Sequence, residues 1–168
     1  MRPRFGLYLP PFGPLADPAL LIELARRAER SGWDGIFLWD HILDGASGPV
    51  ADPWVVLEAV AAATSRVQLW TLVTPLARRR PWVLARQAAT VRRLSGERCV
   101  LGAGPGSYEY GDFNRFSEQP LLSIRAAKTD EALQIVTAMW SDRPYTHAGL
   151  HYRVNLDAAV PEPYRIAT

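Results

Sequence analysis

Four times along this chain a short apolar segment is followed by a helix-length amphipathic stretch, and that alternation limits the possible folds more than any other feature. Phe5 to Leu9 is an apolar run closed by Pro10 and Pro11, as a buried strand would be. Asp17-Pro18 then supplies an N-cap and a first-turn proline. The helix it opens carries Leu20, Leu21, Leu24, Ala25 and Ala28 on one face and stops at Gly32. Gly35 to Trp39 reads as the second strand, and Asp52-Pro53 repeats the capped start for a helix running to about Ser65. Val67 to Val73 is the third strand. The third helix begins at Pro81, turns Val83, Leu84, Ala88, Val91 and Leu94 inward, and ends at Ser95-Gly96. Cys99 to Leu101 is the fourth strand. The fourth helix spans about Leu122 to Trp140 with Ile124, Leu133, Val136 and Trp140 as its core stripe. Beyond it, Ala148-Gly149 forms the turn of a terminal hairpin.

Strands that are apolar on both faces and alternate with helices specify an α/β fold with a parallel sheet covered by helices. Periodicity leaves an open doubly wound sheet and part of a (β/α)8 barrel as alternatives. Length argues against a complete barrel, because 168 residues fall short of the about 250 that eight units take. No low-complexity linker divides the chain, so residues 1–168 read as a single domain.

Composition excludes several classes of protein. With 48% hydrophobic and 21% charged residues the chain is neither a disordered tail nor a coiled coil. Its net charge is only +2, and eighteen of its nineteen basic residues are arginines scattered along helices, so charge does not announce a nucleic-acid partner. The single cysteine, Cys99, cannot form an intrachain disulfide and reads as a small buried apolar side chain; a reducing cytoplasmic setting follows. No Cys/His cluster has metal-ligand spacing, and no apolar run is long enough for a membrane span or signal-peptide core.

Functional residues of parallel α/β folds gather at the C-terminal ends of the strands. Four places qualify. Asp40 and His41 follow the second strand directly; a histidine there can move a proton near neutral pH, and a neighbouring carboxylate can fix its tautomer. Thr71, Leu72, Val73 and Thr74 end the third strand, where a flat ring could lie on the backbone while hydroxyls and amides reach its polar edge. They are equally ordinary β-formers. Gly104 and Gly106 belong to a glycine-rich turn after the fourth strand whose backbone amides could approach a cofactor's phosphate or ring carbonyl, although the turn lacks the GxGxxG order of a dinucleotide site. Arg78, Arg79 and Arg80 precede a helix N-terminus, where a solvated or ion-paired run is the usual explanation and a phosphate partner the alternative. Tyr108, Tyr110, Phe113 and Phe116 in the following loop either stack on a ligand or form the loop's own core. His147 and His151 read as surface or packing residues.

Several strings, in this order and spacing, resemble the luciferase-like monooxygenase superfamily of flavin- and coenzyme F420-dependent oxidoreductases. They include Phe5-Gly-Leu-Tyr-Leu-Pro10, Leu24-Ala-Arg-Arg-Ala-Glu-Arg-Ser-Gly-Trp-Asp-Gly-Ile-Phe-Leu-Trp-Asp-His41, Leu72-Val-Thr-Pro-Leu-Ala-Arg-Arg-Arg-Pro-Trp82, Arg93-Leu-Ser-Gly-Glu-Arg98 and Leu101-Gly-Ala-Gly104. The resemblance covers the chain to about Val154, and the closing stretch Asn155 to Thr168 no longer follows the pattern. Ser117 stands where the family commonly has glycine, which implies a modest loop change.

The resemblance implies a partial (β/α)8 TIM barrel: the first four βα units plus the terminal hairpin. It implies an oxidoreductase or monooxygenase acting on a small organic molecule, with F420 or FMN as cofactor and a slight preference for F420. In that setting His41, beside Asp40, is the catalytic histidine, and Leu72-Val73-Thr74 form a bulge behind the ring, often with a non-prolyl cis peptide. Four units leave two open strand edges and an unfilled inner face, which implies a homo-oligomer or a complementary half-barrel chain. The helices near Pro53 and Pro81 resemble those of the family's dimer interface. A half-barrel that binds the ring without turning it over is the alternative, and nucleic-acid binding through Arg78 to Arg80 the remote one.

Overall fold

The structure, a computed structural model, describes residues 2–156 except 44, 46, 47, 120 and 142. Its elements run β1 (Gly6–Leu9), α1 (Pro18–Arg30), β2 (Gly35–Leu38), α2 (Pro53–Ala63), β3 (Gln68–Pro75), α3 (Pro81–Leu94), β4 (Cys99–Gly104), α4 (Leu122–Met139), β5 (Tyr145–Ala148) and β6 (Arg153–Leu156). The first four strands form one parallel sheet in the order β1-β2-β3-β4. That order decides between the two architectures left open above. A doubly wound sheet reverses direction at a switch point, whereas strands added in chain order, each crossing over through a helix, build a barrel wall. β1 and β4 are the edges of this sheet, and β5 and β6 form a separate antiparallel hairpin.

Local chemistry starts and stops the helices as the sequence indicated. The Asp17 carboxylate accepts from Ala19 N at 2.9 Å, and that of Asp52 from Trp54 N and Val55 N at 2.8 and 3.1 Å, each one residue ahead of a proline. At the opposite end of α2 the Arg98 guanidinium donates to the carbonyls of Ala61, Thr64, Val67 and Ser95, satisfying acceptors that a helix end otherwise leaves unpaired. Glu29, in the last turn of α1, accepts from the amides of Ser65, Arg66 and Val67 and so ties α1 to the entry of β3.

The core lies between the sheet and its helices, where Leu21, Ile36, Leu38, Leu57, Val60, Leu69 and Leu84 are buried. The neighbouring positions on each strand face the other way. There Phe37 stacks on Trp70 at 5.6 Å, and Tyr8 and Leu72 are exposed. Helix faces differ from expectation at three positions. Leu20, Leu94 and Leu133 point outward, and the inward face of α4 is Ala132, Ile135, Val136 and Met139. Trp140, just past that helix, donates from Nε1 to Ala85 O at 3.0 Å. The hairpin turn also sits later than expected: β5 runs through Ala148, and residues Gly149 to Tyr152 form the loop. Glu131 of α4 holds that loop by accepting from the amides of Leu150, His151 and Tyr152, and His147 packs beside it with Nε2 at 3.0 Å.

Ser117 adopts φ 58°, the left-handed region where a Cβ is unfavourable. The glycine expected of the family therefore corresponds to a real backbone demand, and Ser117→Gly should stabilise the fold by about 1 kcal/mol. A urea melt reads this directly; an unchanged or lower midpoint contradicts it.

Candidate functional site

At the C-terminal ends of the strands is a cleft of about 410 Å³, lined by Tyr8, Trp39, His41, Leu72, Val73 and Tyr110 among others. Its position follows from the parallel sheet, since every βα loop emerges on this side. The volume is within the range of small-molecule and cofactor pockets.

One wall is a bulge in β3. Pairing with β4 is regular through Thr71↔Leu101, breaks, and resumes at Thr74↔Ala103, with a cis peptide between Leu72 and Val73. The Tyr8 hydroxyl donates to Leu72 O at 2.8 Å and ties the bulge to β1. Both threonine hydroxyls are turned into the protein. Thr71 Oγ1 donates to Gly102 O at 3.2 Å, and Thr74 Oγ1 accepts from Trp54 Nε1 at 3.2 Å. They brace the bulge instead of reaching toward a ligand, which corrects the expectation that they meet a ring's polar edge. Leu72 and Val73 do line the cleft. Gly104 is packed behind them: a Cβ there would lie 3.0 Å from Val73 Cγ2. Gly106 lines the cleft at φ +77°, with no room for a Cβ against Pro75.

The opposite side carries His41. Its imidazole is bracketed by Tyr110, Phe12 and Trp39, with ring centroids 4.7, 5.7 and 5.9 Å away. The carboxylate it meets is not the adjacent Asp40. His41 Nδ1 lies 2.7 Å from Asp112 Oδ2, while Asp112 Oδ1 accepts from Ile42 N and Leu43 N, both at 3.0 Å. Burial works to raise the Asp112 carboxyl, but the His41 ring, the two amides and nearby Arg78 outweigh it and hold it below the usual carboxylate range. Asp40, buried beside it, is turned to the arginines. Arg78 Nη2 donates to its Oδ1 at 2.9 Å and to its main-chain oxygen at 2.6 Å, and Arg79 Nη2 approaches its two carboxylate oxygens at 2.8 and 2.9 Å. The geometry therefore corrects the pairing of Asp40 with His41.

The same contacts resolve the arginine run. Arg78 and Arg79 are ion-paired inside the protein, and Arg80 lies over the Trp82 ring at 5.8 Å. Of the loop aromatics, Tyr110 reaches the cleft beside His41 and Phe113 is core, with Arg125 over its ring at 4.8 Å. Phe116 stays exposed, and so does Tyr108, with Arg125 over its ring at 5.9 Å. Burial pushes the Cys99 thiol up to about 12, so it is a packed apolar side chain at neutral pH. Among the described residues, no helix is long and apolar enough to cross a membrane.

Sequence reasoning missed Asp112. The only local signal was a carboxylate in the loop after β4, the loop that also carries Tyr110. Trp39 is a second residue with an unmet need: its indole N–H is buried without a partner among the described residues, and the residue lines the cleft.

Several known proteins are similar to this chain. An F420-dependent glucose-6-phosphate dehydrogenase of Nakamurella multipartita is 34% identical over 143 residues, covering 82% of this chain and 41% of its own. A solved F420-dependent secondary alcohol dehydrogenase, in complex with an F420-acetone adduct, superposes with TM-score 0.83 at 26% identity, over 96% of this chain and 50% of that one. The FMN-bound oxygenating constituent of 3,6-diketocamphane monooxygenase from Pseudomonas putida shares the fold, with TM-score 0.75 at 21% identity, over 99% of this chain and 48% of its own. The chain spans about half the length of the relatives it matches. The family profile of the luciferase-like monooxygenases matches residues 4–166, beyond the point near Asn155 where the resemblance was expected to stop. With this match, the parallel half-barrel and the bulged third strand agree, and the chain belongs to the luciferase-like monooxygenase family.

Proposed function

We propose that the chain forms the ring-binding half of an F420-dependent oxidoreductase acting on a small organic substrate. The observation that carries this reading is the cleft itself, with the β3 bulge at Leu72-Val73 on one side and an imidazole oriented by a buried carboxylate on the other. The similarity to F420-dependent dehydrogenases supports the choice of coenzyme. The residues present suit a flat heteroaromatic ring bearing carbonyls: Leu72 and Val73 offer a surface to lie on, and the unpartnered indole N–H of Trp39 is a donor in search of an acceptor.

When bound, F420 supplies hydride exchange with the substrate carbon. The chain's part is to place and to protonate. The bulge, held from behind by Thr71, Thr74 and Gly104 and from β1 by Tyr8, would offer a bound ring a fixed surface. His41 exchanges the proton that must accompany hydride movement at a substrate oxygen. Asp40, joined to Arg78 and Arg79, anchors the segment that carries His41 and acts through position, not contact.

The open edges of β1 and β4, the half-buried Phe37–Trp70 pair and the exposed Tyr8 and Leu72 on the inner face support a further element of the proposal: pairing with four more βα units, from a second copy or a complementary chain. The exposed Val55 on α2 leaves the outer helical face available as well.

Titration of the folded chain with oxidised F420 and, separately, FMN tests the reading. Saturable quenching of intrinsic fluorescence and a raised melting temperature with F420 are expected. Binding of FMN alone would move the chain to the flavin branch of the family, and binding of neither would overturn the proposal.

A further inference from the structure

We propose that Asp112 is a positioning residue that locks the His41 imidazole in the tautomer with the proton on Nδ1, leaving Nε2 as the ring nitrogen presented to the cleft. The consequence for turnover rests on the oxidoreductase reading above, but the geometry behind it does not depend on any coenzyme.

A carboxylate is a pure acceptor when ionised, and Asp112 is built to be ionised. Oδ1 takes two main-chain amides, Ile42 N and Leu43 N, and Oδ2 faces His41 Nδ1 at 2.7 Å. Arg78 Nη2 lies 3.8 Å from the same Oδ2, and Arg78 is itself joined to Asp40, which also holds Arg79. Two guanidiniums and two carboxylates thus form a balanced buried cluster behind the histidine. Facing an ionised oxygen at that distance, Nδ1 must be the donor. A neutral imidazole carries one proton, so Nε2 is then an acceptor with no partner among the described residues. Tyr110, Phe12 and Trp39 hold the ring from its sides, so it cannot turn to exchange the two nitrogens without breaking the Asp112 contact. The arrangement makes His41 a proton acceptor toward a substrate hydroxyl, or an Nε2–H donor after it has taken that proton.

Asparagine at 112 should invert this arrangement. The two amides at the Oδ1 end would select the carboxamide oxygen, placing the NH2 group against Nδ1. That group donates, so Nδ1 would have to accept and the proton would move to Nε2, giving the wrong tautomer at an otherwise preserved site. The same logic accounts for the effect of Asp→Asn in a Ser-His-Asp triad.

The experiment is long-range 1H–15N correlation on the full chain labelled with 15N-histidine, at about pH 8.5, where an ordinary imidazole is neutral. Only three histidines are present, and His41 is assigned by its loss in His41→Gln. The expected result is a protonated Nδ1 and an unprotonated Nε2 in the wild type, reversed in Asp112→Asn. Turnover with F420 should fall about a hundred-fold or more in that variant while coenzyme affinity is kept. A wild-type spectrum with the proton on Nε2 would overturn the proposal, as would an unchanged tautomer in a folded Asp112→Asn. If that variant does not fold, the wild-type spectrum decides alone. Failure of F420 to bind a chain whose His41 carries its proton on Nδ1 would count against the oxidoreductase reading and leave this one standing.

Discussion

Replacing His41 with alanine is expected to lower turnover by about 10² to 10⁴ while leaving coenzyme affinity nearly unchanged. That range is what a positioned proton-transfer group contributes. The two effects should separate because the proposed seat of the ring, Leu72-Val73 with the Trp39 indole, is left in place by the substitution. Stopped-flow reduction of F420, paired with equilibrium titration, reads both quantities on one sample. A variant that keeps its rate would remove His41 from the chemistry and favour a half-barrel that binds without turnover. A variant that loses binding and rate together would make His41 a part of the coenzyme's seat.

Asp40→Ala should be the most damaging single change to stability, costing about 3–5 kcal/mol. Removing one partner from a buried ion pair strands the other charge away from water. Here two guanidiniums lose their nearest carboxylate, since Arg78 and Arg79 both converge on Asp40 with side chains only 5% and 16% exposed, and they keep only the longer carboxylate approaches, to Asp112 at 3.8 Å and Asp52 at 3.7 Å. A marginally stable domain holds 5–15 kcal/mol in all, so the variant should melt far below the wild type or accumulate insoluble. Urea denaturation checks it. Asp40→Asn, which keeps acceptors for the arginine N–H groups, should recover part of the loss; equal melting of wild type and alanine variant would show that the network contributes no stability.

The split between what was and was not legible follows from range. Helix starts were readable because a cap is a two-residue event: Asp17-Pro18 and Asp52-Pro53 supply the acceptor and the preset φ within one turn. The parallel character of the sheet was readable from strands apolar on both faces. Strand ends were less so. β3 continues to Pro75 and β4 to Gly104 because the bulge lets Thr74 and Pro75 find partners again beyond the break. Leu94 and Leu133 were placed inward from helical spacing alone, yet which stripe of a helix is buried depends on its neighbours. α4 packs against α3 and the hairpin through Ile135 and Met139.

The site divides in the same way. That His41, Leu72 and Val73 would meet at one cleft was readable because a strand's C-terminal end is a position in sequence as well as in space. Asp112 was not, because the bond it makes spans 71 residues and closes only when the β4 loop folds over the end of β2. Asp40 was credited with the histidine because adjacent residues look like partners, but successive side chains at a strand end diverge, and the buried arginines behind it were the stronger claim on its charge. The sequence by itself determined the order of strands and helices and the side of the sheet on which a site would lie, since both follow from local periodicity and chain direction. Which carboxylate meets the imidazole, where the two threonine hydroxyls point and how Arg78 and Arg79 are neutralised were decided by the tertiary structure alone, because buried charge must find its partner through space.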